Sequence, residues 1–69
     1  MNDAHAIWVK LDAARRAQRH SMKSLAKSIG ISINTITRDA KRPEKMPIGR
    51  LFSYCEALNL SPEDFISNF

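Results

Sequence analysis

All eleven lysines and arginines of this 69-residue chain fall between Lys10 and Arg50, where only Asp12, Asp39 and Glu44 oppose them. The flanks are acidic, with Asp3 on one side and Glu56, Glu63 and Asp64 on the other. A pI of about 9.7, with the cations gathered in one segment, is the electrostatic footprint of a surface that meets a polyanion such as a nucleic acid. A solvated lysine-rich face would give the same charge pattern, so the elements that carry the charges must decide. The remaining reactive side chains assemble no chemistry. Cys55 is the sole cysteine, which excludes an internal disulfide, and neither it nor His5 and His20 has metal-ligand spacing. The sequence contains no paired carboxylates, no nucleophile beside a base and no glycine-rich phosphate loop. The expectation is therefore no enzyme, no cofactor, no metal and no small-molecule substrate, with His5 and His20 at the surface of the first helix and its end.

A chain of 69 residues with 43% apolar content makes one domain. At this size folding buries only about 60% of the surface that the unfolded chain exposes, which leaves oligomerisation open as a further source of stability. The N-terminus has Asp3 and Trp8 where a signal peptide needs a basic stretch and an apolar run, and no apolar segment approaches about 18 residues. A cytoplasmic protein without membrane association is expected, and the start at Met1 is read as that of a complete gene product.

The apolar spacing that must position the charges is helical almost throughout. Ala4, Ile7, Trp8, Leu11 and Ala14 form one stripe of a helix over about 3–19, with Lys10, Arg15, Arg16 and Arg19 on its other face. The stripe assigns Ile7 and Trp8 to the core. Ser21 is an N-cap type, followed by Met22, Leu25, Ala26 and Ile29, and Gly30 accepts the left-handed conformation that ends a helix. Ser32 opens the next helix, with Ile36 and Ala40 on its inner side. Pro43 and Pro47 then bracket a basic loop over about 42–46, and a fourth helix over about 47–58 carries Leu51, Phe52, Tyr54, Cys55 and Leu58. Cys55 shares the stripe of Ile48, Leu51 and Leu58, so it is expected to be a buried small hydrophobe. Ser61-Pro62-Glu63-Asp64 combines an N-cap, a proline at the first helical position and acids at the positive end of the helix dipole, opening a last helix over about 62–67.

Two short helices joined by a glycine turn inside a basic domain have the form of a helix-turn-helix, although helical bundles that bind nothing also contain such pairs. Ala26 allows close approach, Gly30 turns the chain, and Ile31 and Ile36 fill the joint. Residues 21–66 resemble the Cro and lambda-repressor-like family of helix-turn-helix proteins. The likeness is carried by Ser21 to Ser32, Asn34-Thr35-Ile36-Thr37-Arg38, Pro47 to Leu51 and Ala57 to Ile66. It implies an all-α, five-helix, lambda-repressor-like domain that binds double-stranded DNA, usually as a homodimer on an inverted repeat, and regulates transcription in the manner of a small phage or prophage repressor.

Carried over by that resemblance, Ile33, Asn34, Thr37 and Arg38 are the base-reading positions of the third helix. Their chemistry fits: Asn34 suits the edge of adenine, Arg38 the O6 and N7 of guanine, and Ile33 a thymine methyl, with Thr37 serving either purpose weakly. Ile33 packing on a neighbouring helix, and Arg38 gripping a phosphate, are the competing roles. Phosphate contacts are expected from Ser32, from the amides near Ser21, Met22 and Lys23 and near Ile48 and Gly49, and from Lys27, Lys41, Arg42, Lys45 and Arg50. By analogy, dimer contacts fall in 58–69 at Phe65, Ile66 and Phe69. The chain departs from the family pattern where Met22 replaces a common glutamine, and where Asp39, Ala40 and Arg42 stand in place of an apolar residue, a glutamate and a glycine. Asp39 is accordingly expected to take over as the partner of Arg15. The alternative function is a protein-interaction module, such as an antitoxin or antirepressor, working through the acidic, aromatic-tipped tail.

Overall fold

The computed structural model describes residues 4–66. Five helices follow in order: α1 (Ala4–Ala17), α2 (Met22–Ile29), α3 (Ile33–Lys41), α4 (Ile48–Ala57) and α5 (Glu63–Ile66), with a 3-10 turn, Pro43–Lys45, between α3 and α4. No strand occurs among the described residues. The apolar stripes meet in one core of Ile7, Trp8 and Leu11 from α1, Leu25 and Ala26 from α2, Ile36 from α3, Leu51, Tyr54 and Cys55 from α4, then Leu58 and Phe65. Trp8 and Tyr54 meet edge to face, with ring centroids 5.8 Å apart at 77°. Cys55 is buried, as its stripe requires, and burial followed by the charge of Asp64 pushes its thiol pKa up.

Phe65 corrects the expected dimer surface: it is only 3% exposed and packs into the core, with the Lys10 ammonium 5.7 Å from its ring centroid. Its six-membered ring is needed to close the thin interior that a chain this short can build. The Ile66 side chain and Phe69, the other expected contacts, lie outside what the structure describes.

Three helices end in the same way. After α2, Gly30 is left-handed at φ 77°, and the amide of Ile31 reaches back to the Ala26 carbonyl at 3.0 Å. Arg19 (φ 56°) does this after α1, where the His20 amide donates to the Arg15 carbonyl at 2.9 Å, and Asn59 (φ 57°) after α4, where Leu60 donates to Cys55 at 2.8 Å. These six-to-one bonds satisfy carbonyls that a helix end otherwise leaves unpaired. They also explain why α1 stops at Ala17 rather than near residue 19. The Arg15 guanidinium donates to the His20 carbonyl at 2.6 Å, which draws His20 half into the fold rather than leaving it at the surface. Gln18 ties this corner to the far end of α4 by donating to the Leu58 carbonyl at 2.6 Å.

A Cβ added to Gly30 would meet nothing within 4 Å, so glycine is favoured there for its backbone alone. Gly30→Ala is expected to cost about 1 kcal/mol. In a domain of this length that lowers the thermal midpoint by about 4–8 °C. An unchanged midpoint in a thermal melt would contradict the left-handed turn.

Candidate nucleic-acid interface

The segment from α2 to α3 is fixed at both helix starts by serines. Ser21 Oγ accepts from the Ser24 amide at 3.0 Å, and Ser32 Oγ accepts from the Thr35 amide at 3.1 Å while bonding the Thr35 hydroxyl at 2.9 Å. Both hydroxyls are therefore occupied in capping, as expected of these N-cap residues. Helical spacing then divides α3. Ile36 and Asp39 face inward and are buried, with Ala40 half-buried beside them. Ile33 (46% exposed), Asn34 and Arg38 face solvent, and half-buried Thr37 spends its hydroxyl proton on the Ile33 carbonyl at 2.7 Å. The four residues expected to read bases thus lie at i, i+1, i+4 and i+5 along one side of a nine-residue helix. Ile33 is neither in the core nor among the half-buried apolar residues packed against it.

Lys23 and Lys27 on α2, Lys41 at the end of α3, and Arg42 and Lys45 in the turn that follows it are all exposed. None of them has an acidic partner among the described residues, where the ion pairs are Arg15–Asp12, Arg16–Asp12 and Arg50–Asp39. Met22 departs from its neighbours by packing its side chain against the core, so only its backbone is available to an anion. Ile48 and Gly49 open α4 at the surface, with first-turn amides that a helix cannot satisfy internally.

The pairing expected between Arg15 and Asp39 does not form. Arg15 instead holds Asp12, one turn before it on α1, through Nε at 3.0 Å and Nη2 at 2.7 Å. Asp39 is 2% exposed and takes Arg50, whose Nε donates to Oδ2 at 2.6 Å and whose Nη2 donates to Oδ1 at 3.0 Å. The Tyr54 hydroxyl donates to the same Oδ2 at 2.5 Å. Arg50, expected among the phosphate contacts, is thus fastened to a carboxylate, and that hydrogen bond is the main cause that raises its pKa. Sequence reasoning missed this cluster. Its signal is the position of Asp39 three residues after Ile36, on the inner face of α3, where a carboxylate must find donors.

The family model for the Cro/C1-type helix-turn-helix DNA-binding domain matches residues 10–68. The chain belongs to that family. No curated protein and no solved structure matches significantly. A Cro/C1-type domain is a DNA-binding regulator. No described helix of the Cro/C1-type chain is long and apolar enough to cross a membrane, and no group of three or more metal-ligating side chains gathers among the described residues.

Tyr54 gives this Cro/C1-type domain an alkaline limit. Burial first, then the hydrogen bond to Asp39, push the phenol pKa well above its ordinary value of 10.0. A proton held more tightly by the folded state stabilises it fully below the unfolded pKa, and that stabilisation drains as pH rises above about 10. Tyr54 is the only tyrosine, so phenolate absorbance reports it alone. The expected result is that phenolate appears together with loss of far-UV ellipticity, not before it. A simple titration centred near 10 in the folded protein would refute the buried bond.

Proposed function

We propose that the protein is a sequence-specific transcriptional regulator of the Cro or small phage or prophage repressor kind, acting in the cytoplasm as a homodimer on an inverted-repeat operator. In this reading α3 enters the major groove. Asn34 and Arg38 make bidentate contacts to adenine and guanine, Ile33 meets a thymine methyl, and Thr37 supports them at the base edges. Lys23, Lys27, Lys41, Arg42 and Lys45 supply charge to the phosphates on either side, joined by the amides that open α2 and α4. The observation that carries the reading is the outward face of α3: four side chains with base-edge chemistry on a helix anchored by its inner face, in a segment whose exposed cations have no acidic partner among the described residues. No catalytic step is assigned to it.

The test is selection of bound duplexes from a random pool at about 100 mM salt, where phosphate attraction alone is weakened. The expected result is an inverted repeat with half-sites about 10 base pairs apart, and its loss on Asn34→Ala or Arg38→Ala. Each substitution should cost roughly fivefold to 150-fold in discrimination at one position of the half-site. Recovery of no preferred sequence would defeat the reading. It would favour the alternative, a protein-interaction module such as an antitoxin or antirepressor. One observation favours it: Ile48 and Phe52 are 53% and 41% exposed one turn apart on α4, whereas Phe65, expected at the tail's working surface, is buried.

A further inference from the structure

Asp39 is the one buried charged side chain among the described residues. Stability alone does not call for it, because an apolar residue of similar volume at such a place usually serves as well or better. What a carboxylate adds is direction. The Arg50 fork reaches both of its oxygens, at 2.6 and 3.0 Å, and a two-point contact between planar groups fixes an angle as well as a distance. The Tyr54 hydroxyl takes a third bond on the same carboxylate, and the Tyr54 ring abuts Trp8 of α1, so the cluster is referenced to the body of the domain.

The two ends of the fork matter. Asp39 follows Arg38 directly and lies in the last turns of α3, behind the face that carries Ile33, Asn34 and Thr37. Arg50 is the third residue of α4, immediately after Ile48 and Gly49. Between them the chain passes through Arg42, the 3-10 turn and Pro47, where no regular helix holds the two directions together. We infer that Asp39 and Arg50 are positioning residues for DNA reading: their fork sets the angle of α3 against the first turn of α4, so that base contacts and phosphate contacts fall on one duplex at once. The inference rests on the function proposed above. It also assigns Arg50 to Asp39 rather than to a phosphate.

Base readout and phosphate attraction respond differently to such an angle. Flexible lysines follow a phosphate through a small tilt of α3, whereas bidentate base contacts do not. Loosening the fork therefore lowers discrimination and leaves general affinity for DNA in place.

The full chain, its Arg50→Lys variant and its Asp39→Asn/Arg50→Gln double variant would be compared on the selected duplex and on a scrambled one across a salt series, and by amide hydrogen exchange without DNA. Arg50→Lys keeps the charge and loses the fork; the double variant keeps hydrogen-bonding size without either charge. Both are expected to lose about tenfold in the ratio of specific to non-specific affinity, roughly the discrimination of one base pair. Affinity for the scrambled duplex stays within about twofold, because the phosphate contacts and the slope of log K against log salt are unchanged. Exchange is expected to quicken at the end of α3 and the start of α4, with α2 unaffected. A fall in the double variant's salt slope by about 0.9 per copy would place Arg50 on a phosphate and overturn the inference. Equal losses on both duplexes would reduce the cluster to a merely structural one, and unaltered discrimination or exchange would remove its positioning role; either result overturns the inference alone. A wild-type protein that prefers no duplex would instead overturn the proposed function, and this inference with it.

Discussion

Arg50→Ala is expected to destabilise the protein by about 3 kcal/mol, more than either Asp39→Ala or Tyr54→Phe. The reason is the asymmetry of burial within the pair. Asp39 is 2% exposed and Arg50 25%, so removing the arginine strands a carboxylate away from water with one phenol for company. Breaking a buried pair from the side that leaves an unpaired charge costs about 3–5 kcal/mol, and partial access of water near Arg50 places this case at the lower end. Asp39→Ala should cost less, about 2 kcal/mol, since the guanidinium can turn to solvent and the main penalty is the Tyr54 hydroxyl left without an acceptor. Tyr54→Phe should cost about 1.5 kcal/mol, the range for a hydrogen bond to a charged group. Urea unfolding monitored by far-UV circular dichroism gives the order directly. In a domain of this size the largest of these changes corresponds to a fall of roughly 12–24 °C in thermal midpoint. If Arg50→Ala proved cheaper than Asp39→Ala, the carboxylate would not be the buried liability and the cluster would need another description.

The same cluster marks where reading the sequence runs out. The stripes of α1, α2 and α4 are legible because each repeats its apolar residues over two turns or more, and the core follows from them. Ser21, Gly30 and Ser32 are legible because their chemistry is local: a cap or a left-handed turn is decided within four residues. Arg19 and Asn59 adopt the same left-handed turn without the glycine that announces it, so the end of α1 is misplaced by two residues. Phe65 fails for a different reason. A four-residue helix has no periodicity long enough to separate an inward from an outward side chain. The partner of Asp39 is the hardest case. Arg15 offers a family precedent, but Asp12 lies three residues from it on the same helix, which any pair on α1 can satisfy without help from the fold. Arg50 is eleven residues from Asp39, across two prolines, and only the path of that turn brings them together.

The outward face was more legible than the inward one because it needs no partner to be defined. Once Ile36 and Asp39 point inward, helical geometry leaves Ile33, Asn34, Thr37 and Arg38 on the other side, whatever the rest of the domain does. The charge pattern adds to this in a way the pairings refine. Arg15 and Arg50 are held within the fold and exposed Arg16 shares Asp12, so the cations with no acidic partner are concentrated on α2, on the end of α3 and on the turn that follows it.

That concentration sets the second large effect. Affinity for duplex DNA should fall by about 10³–10⁵ between 50 and 200 mM salt, the range for a protein that neutralises about 6–10 phosphates. Lys23, Lys27, Lys41, Arg42 and Lys45 have no acidic partner among the described residues, and in the proposed homodimer two copies would bring enough such charge to reach that range. Fluorescence anisotropy with a labelled duplex across a salt series reads the slope. Alanine at any one of the five that meets a phosphate should reduce the slope by about 1 per copy and weaken all sequences alike. Asn34→Ala should do the opposite, leaving the slope in place while the preferred and scrambled duplexes draw together. A slope that survives alanine at all five positions would move the phosphate contacts off the α2–α3 side of the domain. The face proposed to read bases would then lack the phosphate contacts that fix register and orientation on a duplex, and the contacts proposed for Asn34 and Arg38 would lose their support.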